Sequence, residues 1–159
     1  AFYKCTSLTE ITIPDSVTNI RVGAFCGCTS LKKIVIPDGI TSIEGSVFYG
    51  CTSLTEITIP DSVTSIWSSA FRGCTSLTEI IIPDSVTNIE GFVFTDTPWL
   101  TAKQEENPLV ILNGTLIDGT TCTGSVTIPD GVTSIAGGAF DSCAGLTALA
   151  TALFTDAPA

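Results

Sequence analysis

The sequence predicts a β-rich solenoid of stacked coils, built from short parallel strands, turns and single helical turns. Three observations predict it. Prolines recur every 23 residues, at Pro14, Pro37, Pro60 and Pro83, and Pro129 follows two periods later. Cysteines keep the same 23-residue spacing, and an apolar set recurs at a fixed phase between them. One such unit cannot bury its own apolar side chains, so the copies must stack and share a core.

One unit, residues 51–73, shows how a coil is made. Ile57 and Ile59 alternate with polar residues, which is typical of a strand with one buried face. Residues 60–62, Pro-Asp-Ser, have the chemistry of a turn. Residues 63–66 form a second short extended segment, and residues 69–73 fit a single helical turn that ends at Gly73.

Composition narrows the function. The chain has 159 residues, 44% of them hydrophobic, and a net charge of −10. This length suits one domain. An acidic surface repels phosphate groups, so we expect neither nucleic-acid binding nor binding to a membrane surface. No apolar run approaches the roughly 20 residues of a membrane span, so we expect no membrane insertion. The chain has no histidine, which excludes catalysis by imidazole and histidine-ligated metals. It has no methionine and opens on Ala1-Phe2, inside a coil, so we expect a piece of a longer protein.

We predict a single domain, residues 1–159, in which the repeats mark the individual coils. We assign regular coils to residues 5–96, a degenerate coil to 97–119, a coil to 120–142 and a C-terminal cap to 143–159. In the degenerate coil, Asn113-Gly114 separates two apolar runs, which predicts a hairpin or a bulged coil. The alternative is an insert dedicated to binding. The Ala/Leu-rich residues 144–154 lose the coil pattern, and we expect them to cap the solenoid in helical form.

The cysteines invite a disulfide or a metal site. Stacked side chains point in parallel, which disfavours disulfides, and paired C-x2-4-C spacing is missing, so we predict a row of buried thiols and no metal. The row comprises Cys5, Cys28, Cys51 and Cys74. Cys26 falls at a variable position, and we expect an exposed free thiol there.

Two further motifs have alternative interpretations. A row of turn aspartates favours hydrated turns over calcium binding, because the alternating Asp and Gly of calcium-binding solenoids is missing. This row comprises Asp15, Asp38, Asp61, Asp84 and Asp130. Residues 113–115, Asn-Gly-Thr, match the N-glycosylation pattern, but the turn geometry of Asn-Gly explains them better. No pair of carboxylates stands out for catalysis.

The variable positions of the repeat carry the remaining functional information. Tyr49, Trp67, Arg72 and Phe92 stand where neighbouring coils have small or different residues. These residue types are enriched at the centres of interfaces, so we predict that the four bind a partner. The alternative is that they pack between coils.

The repeat resembles the BspA-like class of leucine-rich repeats, through the pattern C-x-x-L-x-x-I-x-I-P-x-x-V-x-x-I-x-x-x-x-F. This resemblance implies a leucine-rich-repeat solenoid with parallel strands on one face. It also implies a bacterial or protist protein, extracellular or at the cell surface, engaged in adhesion. We therefore expect a non-enzymatic recognition module without cofactors, whose partner is a protein or glycan on host or neighbouring cells. The alternatives are a structural spacer and an accessory module of a secreted hydrolase.

Overall fold

The structure is a computed structural model that describes residues 2–151. It contains short strands and one helix. In chain order these are β1 Glu10–Thr12, β2 Lys33–Val35, β3 Ser42–Ile43, β4 Glu56–Thr58, β5 Ser65–Ile66, β6 Glu79–Ile81, β7 Asn88–Ile89, α1 Pro98–Glu106, β8 Val110–Leu112, β9 Thr115–Asp118, β10 Gly124–Ile128, β11 Ser134–Ile135 and β12 Leu146–Thr151.

The strands form two rows, because coils two, three, four and six each contribute one strand before the proline turn and one after it. In the first row β1 pairs with β2, β4 with β6 and β10 with β12, all in parallel. In the second row β3, β5 and β7 pair in parallel, and β9 pairs in parallel with β11. The Ile43–Ile66–Ile89 register confirms the 23-residue period residue by residue. The predicted leucine-rich-repeat solenoid is therefore the observed fold.

A turn segment closes each coil after its second strand. In residues 69–73 alternate amides bond within the coil and to the next coil. Ala70 N and Arg72 N donate to carbonyls three residues back, and Phe71 N donates to Val93 O at 3.0 Å. Gly73 ends the turn with a φ of +74°, the left-handed conformation that glycine adopts without strain. Each turn segment thus ties two coils together.

Phenylalanine rings stack along the interior of the turn segments. Their centroids are 5.3 to 5.7 Å apart, and neighbouring planes lie within 10° of parallel. The stack comprises Phe2, Phe25, Phe48, Phe71 and Phe94. Trp99 closes it, with its ring 4.6 Å from that of Phe94 and tilted by 50°. The aromatic core therefore ends at α1.

The cysteine row lies beside this stack and is bonded to it. Cys28, Cys51 and Cys74 are buried, as predicted, and none of the described cysteines forms a disulfide. Cys5 was predicted to be buried in the same row but is exposed, because it lies in the first described coil and no described coil covers its outer side. The thiol of Cys51 donates to Phe25 O at 3.2 Å, and that of Cys74 donates to Phe48 O at 3.1 Å. Each of these thiols therefore bonds to a carbonyl 26 residues earlier in the chain, in addition to filling the core. Cys26 is only half-buried, against the exposed thiol expected there.

The degenerate coil contains a helix and a hairpin. Thr97 caps the start of α1 by accepting a hydrogen bond from Leu100 N at 3.2 Å, and Pro98 stands at its first turn. The predicted hairpin is present: β8 and β9 are antiparallel, and Asn113 and Gly114 connect them with φ values of +46° and +77°. The helix itself was not predicted.

This coil also changes the register of the repeat. Leu116 pairs with Ile135 in the second strand row. Gly119 N donates to Ala139 O, as Phe71 N does to Val93 O, so Gly119 occupies the phenylalanine position. Gly119 follows Leu116 by three residues, whereas Phe71 follows Ile66 by five. The turn segment of this coil is two residues short.

The register shift of two residues continues into the sixth coil, and the hydrophobic core is split into two clusters there. The 23-residue spacing marks Thr120 as the first residue of that coil, but Cys122 takes the cysteine position, since its amide donates to Gly119 O. The main core cluster extends from Ile20 to Ile117, and a second cluster has only Leu116, Ile128 and Ala139 as buried members. The last coil is therefore held by far less buried apolar surface.

The C-terminal segment is a strand where we expected a helix. β12 continues the first strand row, with Val126 opposite Leu149. Pairing with the free edge of β10 satisfies backbone groups in the register of the repeat, and this outweighs the helix preference of an Ala/Leu-rich segment. Residues 152–159 of the predicted cap lie outside the described residues.

Candidate functional site

The four predicted partner-binding residues keep part of their surface in solvent. Tyr49 is 42% exposed, Trp67 39% and Phe92 38%, and the Arg72 side chain is 41% exposed. The rest of their surface packs on the coils. These positions are therefore held against the scaffold and still reachable by a partner.

Arg72 and Phe92 are brought together by the stacking of coils three and four. The guanidinium carbon of Arg72 lies 5.8 Å from the centre of the Phe92 ring, which is within the range of a cation–π contact. Arg72 Nε also lies 3.9 Å from a carboxylate oxygen of Asp96. Tyr49 occupies the same position as Arg72 one coil earlier, and Gly50 N donates to Arg72 O between them.

A cleft opens beside Arg72 and Phe92, with a volume of about 380 Å³. It lies where the turn segment of the degenerate coil is two residues short. Gly91 of the fourth coil meets the backbone of Gly137 in the sixth, and the Phe92 ring covers Gly138. The fourth and sixth coils therefore touch at one end of the missing turn, and the cleft remains at the other.

The floor of the cleft is apolar and its rim is acidic. Leu100 and Ile117 lie in its lining and are buried. Four carboxylates also line it, against the single guanidinium of Arg72. These acidic residues are Glu90, Asp96, Asp118 and Asp141.

Asp118 is the most buried of these carboxylates, with 9% of its surface exposed. Its Oδ1 accepts hydrogen bonds from Gln104 Nε2 at 2.8 Å and from the Thr120 amide and hydroxyl at 3.1 and 3.0 Å. Gln104 belongs to α1, so helix and strand β9 hold this carboxylate between them. Sequence reasoning missed both residues, although the Thr-Pro pair that starts α1 was a visible signal.

The other candidate motifs are placed away from this cleft. The turn aspartates are exposed, and no group of three potential metal ligands occurs within residues 2–151. The Asn113 side-chain amide donates to Pro83 O at 2.9 Å and to Val86 O at 2.8 Å. Both amide hydrogens are engaged in docking the hairpin, which favours the turn interpretation over glycosylation.

The buried thiols are chemically quiet. Burial raises the pKa of Cys74 to about 12 and also raises that of Cys51 and Cys28. The thiolate is the reactive form, so these cysteines are poor nucleophiles and poor metal ligands at neutral pH. No helix in the described part of the chain has the length and apolar character needed to cross a membrane.

Comparison with known proteins identifies the repeat. The model of the BspA type leucine-rich repeat region matches residues 1–116 and 116–152, in six copies. No curated protein matches the chain.

Three solved structures have a similar fold. A leucine-rich repeat protein of T. pallidum, TpLRR, is 27% identical with a TM-score of 0.55, and the match covers 94% of this chain and 59% of that one. A leucine-rich repeat protein of Bacteroides ovatus is 28% identical with a TM-score of 0.67, covering 90% of this chain and 37% of that one. A leucine-rich cell surface protein of Faecalibacterium prausnitzii is 34% identical with a TM-score of 0.54, covering 91% and 36%. The chain thus spans less than two thirds of the length of each.

Proposed function

Because this chain belongs to the BspA-type leucine-rich-repeat family, we propose that it is a non-enzymatic recognition module at the cell surface. The family is one of repeat proteins, which implies a protein-interaction or surface module. In our proposal the module presents a rigid face to a protein or glycan on host or neighbouring cells. The surface location is supported by the related protein of Faecalibacterium prausnitzii, which is named a cell surface protein.

The observation that carries the proposal is the partial exposure of the variable residues. Coils three and four repeat almost the same scaffold, yet differ at Trp67, Arg72 and Phe92. Each of these side chains leaves about 40% of its surface in solvent. Aromatic and arginine side chains are enriched among the anchors of interfaces. A side chain that already packs on its own scaffold has less conformational entropy to lose on binding.

Hydrogen bonds between the coils fix the backbone that carries the variable residues. The turn segments of coils three and four are joined by Ser69 N to Gly91 O and Phe71 N to Val93 O, at 3.2 and 3.0 Å. The backbone under the variable residues is therefore fixed before a partner arrives. Binding to a preorganised face loses less conformational entropy than binding to a mobile loop.

The test is a binding screen with matched variants. The purified chain is applied to a panel of extracellular matrix proteins and to a glycan array, and the strongest partner is then titrated against a Tyr49→Ala/Trp67→Ala variant. We expect binding at least about tenfold weaker, as for the loss of anchor residues. The control is Val35→Ala/Ile81→Ala, which removes two exposed apolar side chains of the first strand row. Equal loss in both variants, or no binding to the whole panel, refutes the proposal and favours a structural spacer.

A further inference from the structure

The cleft beside Phe92 combines buried apolar residues, an aromatic ring and carboxylates. It lies where two residues are missing, so its shape does not recur along the solenoid. Its floor includes the buried side chains of Leu100 and Ile117, its wall includes the Phe92 ring, and its lining carries four carboxylates. A ligand that fits must have an apolar stem and a cationic end.

Asp118 differs from the other three carboxylates of the cleft in its burial and its hydrogen bonds. Three donors engage its Oδ1, whereas no described residue donates to Oδ2. No fully buried side-chain oxygen in the described part of the chain is left without a partner, so Oδ2 must retain accessible surface. Asp118 lines the cleft. A carboxylate whose residue is 9% exposed, with one oxygen fixed and the other free, is preorganised to accept a charged donor.

The protein already holds a guanidinium at one edge of this cleft. Arg72 lies against the Phe92 ring at 5.8 Å and within 3.9 Å of Asp96. Among the described residues no lysine or arginine pairs with Glu90, Asp118 or Asp141. Glu90, Asp118 and Asp141 therefore form a negatively charged region without a paired cation, next to the cation–π contact of Arg72 with Phe92.

We propose that the cleft receives the side chain of a lysine or arginine from a basic segment of a partner protein. The aliphatic stem packs on Leu100 and Ile117, and the cationic end bonds Asp118 Oδ2 within reach of the field of Asp141. The net charge of −10 on the whole chain attracts such a segment from a distance. The inference rests on the proposed recognition function and narrows its partner from protein or glycan to a basic protein.

The test uses small probes, so that it does not depend on finding the partner. Nα-acetyl-lysine amide and Nα-acetyl-arginine amide are titrated into ¹⁵N-labelled protein, with Nα-acetyl-norleucine amide as the uncharged control. We expect saturable amide shifts confined to residues around Phe92, Gln104 and Asp118, with norleucine giving none. Raising the salt from 0.05 to 0.5 M should weaken binding, because the attraction is partly electrostatic.

Two cleft variants and one control variant make the test specific. Asp118→Asn should weaken binding by about tenfold, as for a hydrogen bond to a charged group. Asp141→Asn, at an exposed position, should weaken it by up to about fivefold. Asp61→Asn removes one charge from an exposed turn outside the cleft and should leave binding unchanged. The far-UV spectra of all three variants are compared to confirm that each is folded.

Three results would overturn the inference. These are shifts spread evenly over the acidic surface, equal weakening by Asp61→Asn, and saturable binding of a neutral sugar such as methyl glucoside in place of the cations. The proposed function fails separately, because its test depends on Tyr49 and Trp67, which do not line the cleft. If those residues prove essential for a partner while the cleft ignores the cationic probes, recognition stands and the basic-segment inference falls.

Discussion

Removing one ring from the phenylalanine stack should cost a large part of the stability of the regular coils. Phe71 is fully buried, and its ring lies 5.4 Å from that of Phe48 and 5.7 Å from that of Phe94. Phe71→Ala loses about 3–5 kcal/mol through lost burial and the cavity that remains. The two lost ring contacts place the value near the upper end, since each is worth about 0.5–1.5 kcal/mol. Folded domains of ordinary stability have only about 5–15 kcal/mol in total.

Urea denaturation measures this loss, with tryptophan fluorescence and the far-UV signal recorded together in a Trp67→Phe background, where Trp99 is the remaining tryptophan. Trp99 reports on the stack because its ring lies 4.6 Å from that of Phe94. The matched control is Phe140→Ala, whose ring is only half-buried against the small second core cluster. We expect the control to lose about 1–2 kcal/mol, less than the full burial of a phenylalanine. A loss below about 1 kcal/mol for Phe71→Ala, or equal losses in the two variants, would refute a continuous core shared between coils.

Four further predictions concern the degenerate coil and the thiols. Asn113→Ala removes both hydrogen bonds to the fourth coil and leaves an alanine at a φ of +46°, so it should lower the free energy of unfolding by about 2–3 kcal/mol. Amide hydrogen exchange in β8 and β9 should become faster. Asn19→Ala, at an exposed position, is the control. Gly119→Ala should destabilise the last coil, because the added Cβ overlaps the Phe140 ring, and Gly119→Ala/Phe140→Ala should cost less than the sum of the single changes. Since burial raises the pKa of Cys74 from 9.0 to about 12, its thiolate is about a thousandfold rarer than that of an ordinary cysteine, and at pH 8 a thiol reagent should label Cys5 and spare Cys74 until urea unfolds the chain. The raised pKa of Cys74 also makes the free energy of unfolding depend on pH: this free energy is unaffected below pH 9 and falls as the pH rises from 9 toward 12, because the thiol of the unfolded chain loses its proton first. A Cys74→Ala variant with the same pH dependence would contradict this cause.

The regular coils were predictable because their sequence repeats the physical constraints of one unit. The apolar position at Ile66 can be buried only if Ile43 and Ile89 stack on it, and all three appear at the same phase. Proline and glycine fix the corners locally, so the turns need no information from elsewhere in the chain. The hairpin at Asn113-Gly114 was predictable for the same reason.

The helix and the C-terminal strand were not predicted, for opposite reasons. Helix α1 buries only Trp99 and Leu100, so it has no apolar periodicity by which to be recognised, and its capping pair was its only signal. The segment of β12 has a composition that favours a helix, but the edge of β10 offers it hydrogen bonds at the spacing of the repeat. In both segments, contacts with other parts of the chain determine the secondary structure.

The cleft could not be predicted because it depends on residues that are missing. A sequence period counts spacing along the chain, and Thr120 falls on that period. The structure instead gives the cysteine position to Cys122, because Gly119 reaches the phenylalanine position two residues early. The side chains of Asp118 and Gln104 meet within this shifted coil. Chemistry created by a change of register has no motif in the sequence.

A solenoid of identical coils places each exposed residue beside its own copy. Such rows can present charge or apolar surface, but they cannot bring an aromatic ring, an amide and a carboxylate to one point. Convergence needs either variable positions or a break in the repeat. In this chain the two meet: Arg72 and Phe92 come from variable positions, and Gln104 and Asp118 come from the degenerate coil. Because Arg72, Phe92, Gln104 and Asp118 all line the cleft at that junction, specific recognition is best sought there, with Tyr49 extending the same face toward the earlier coils.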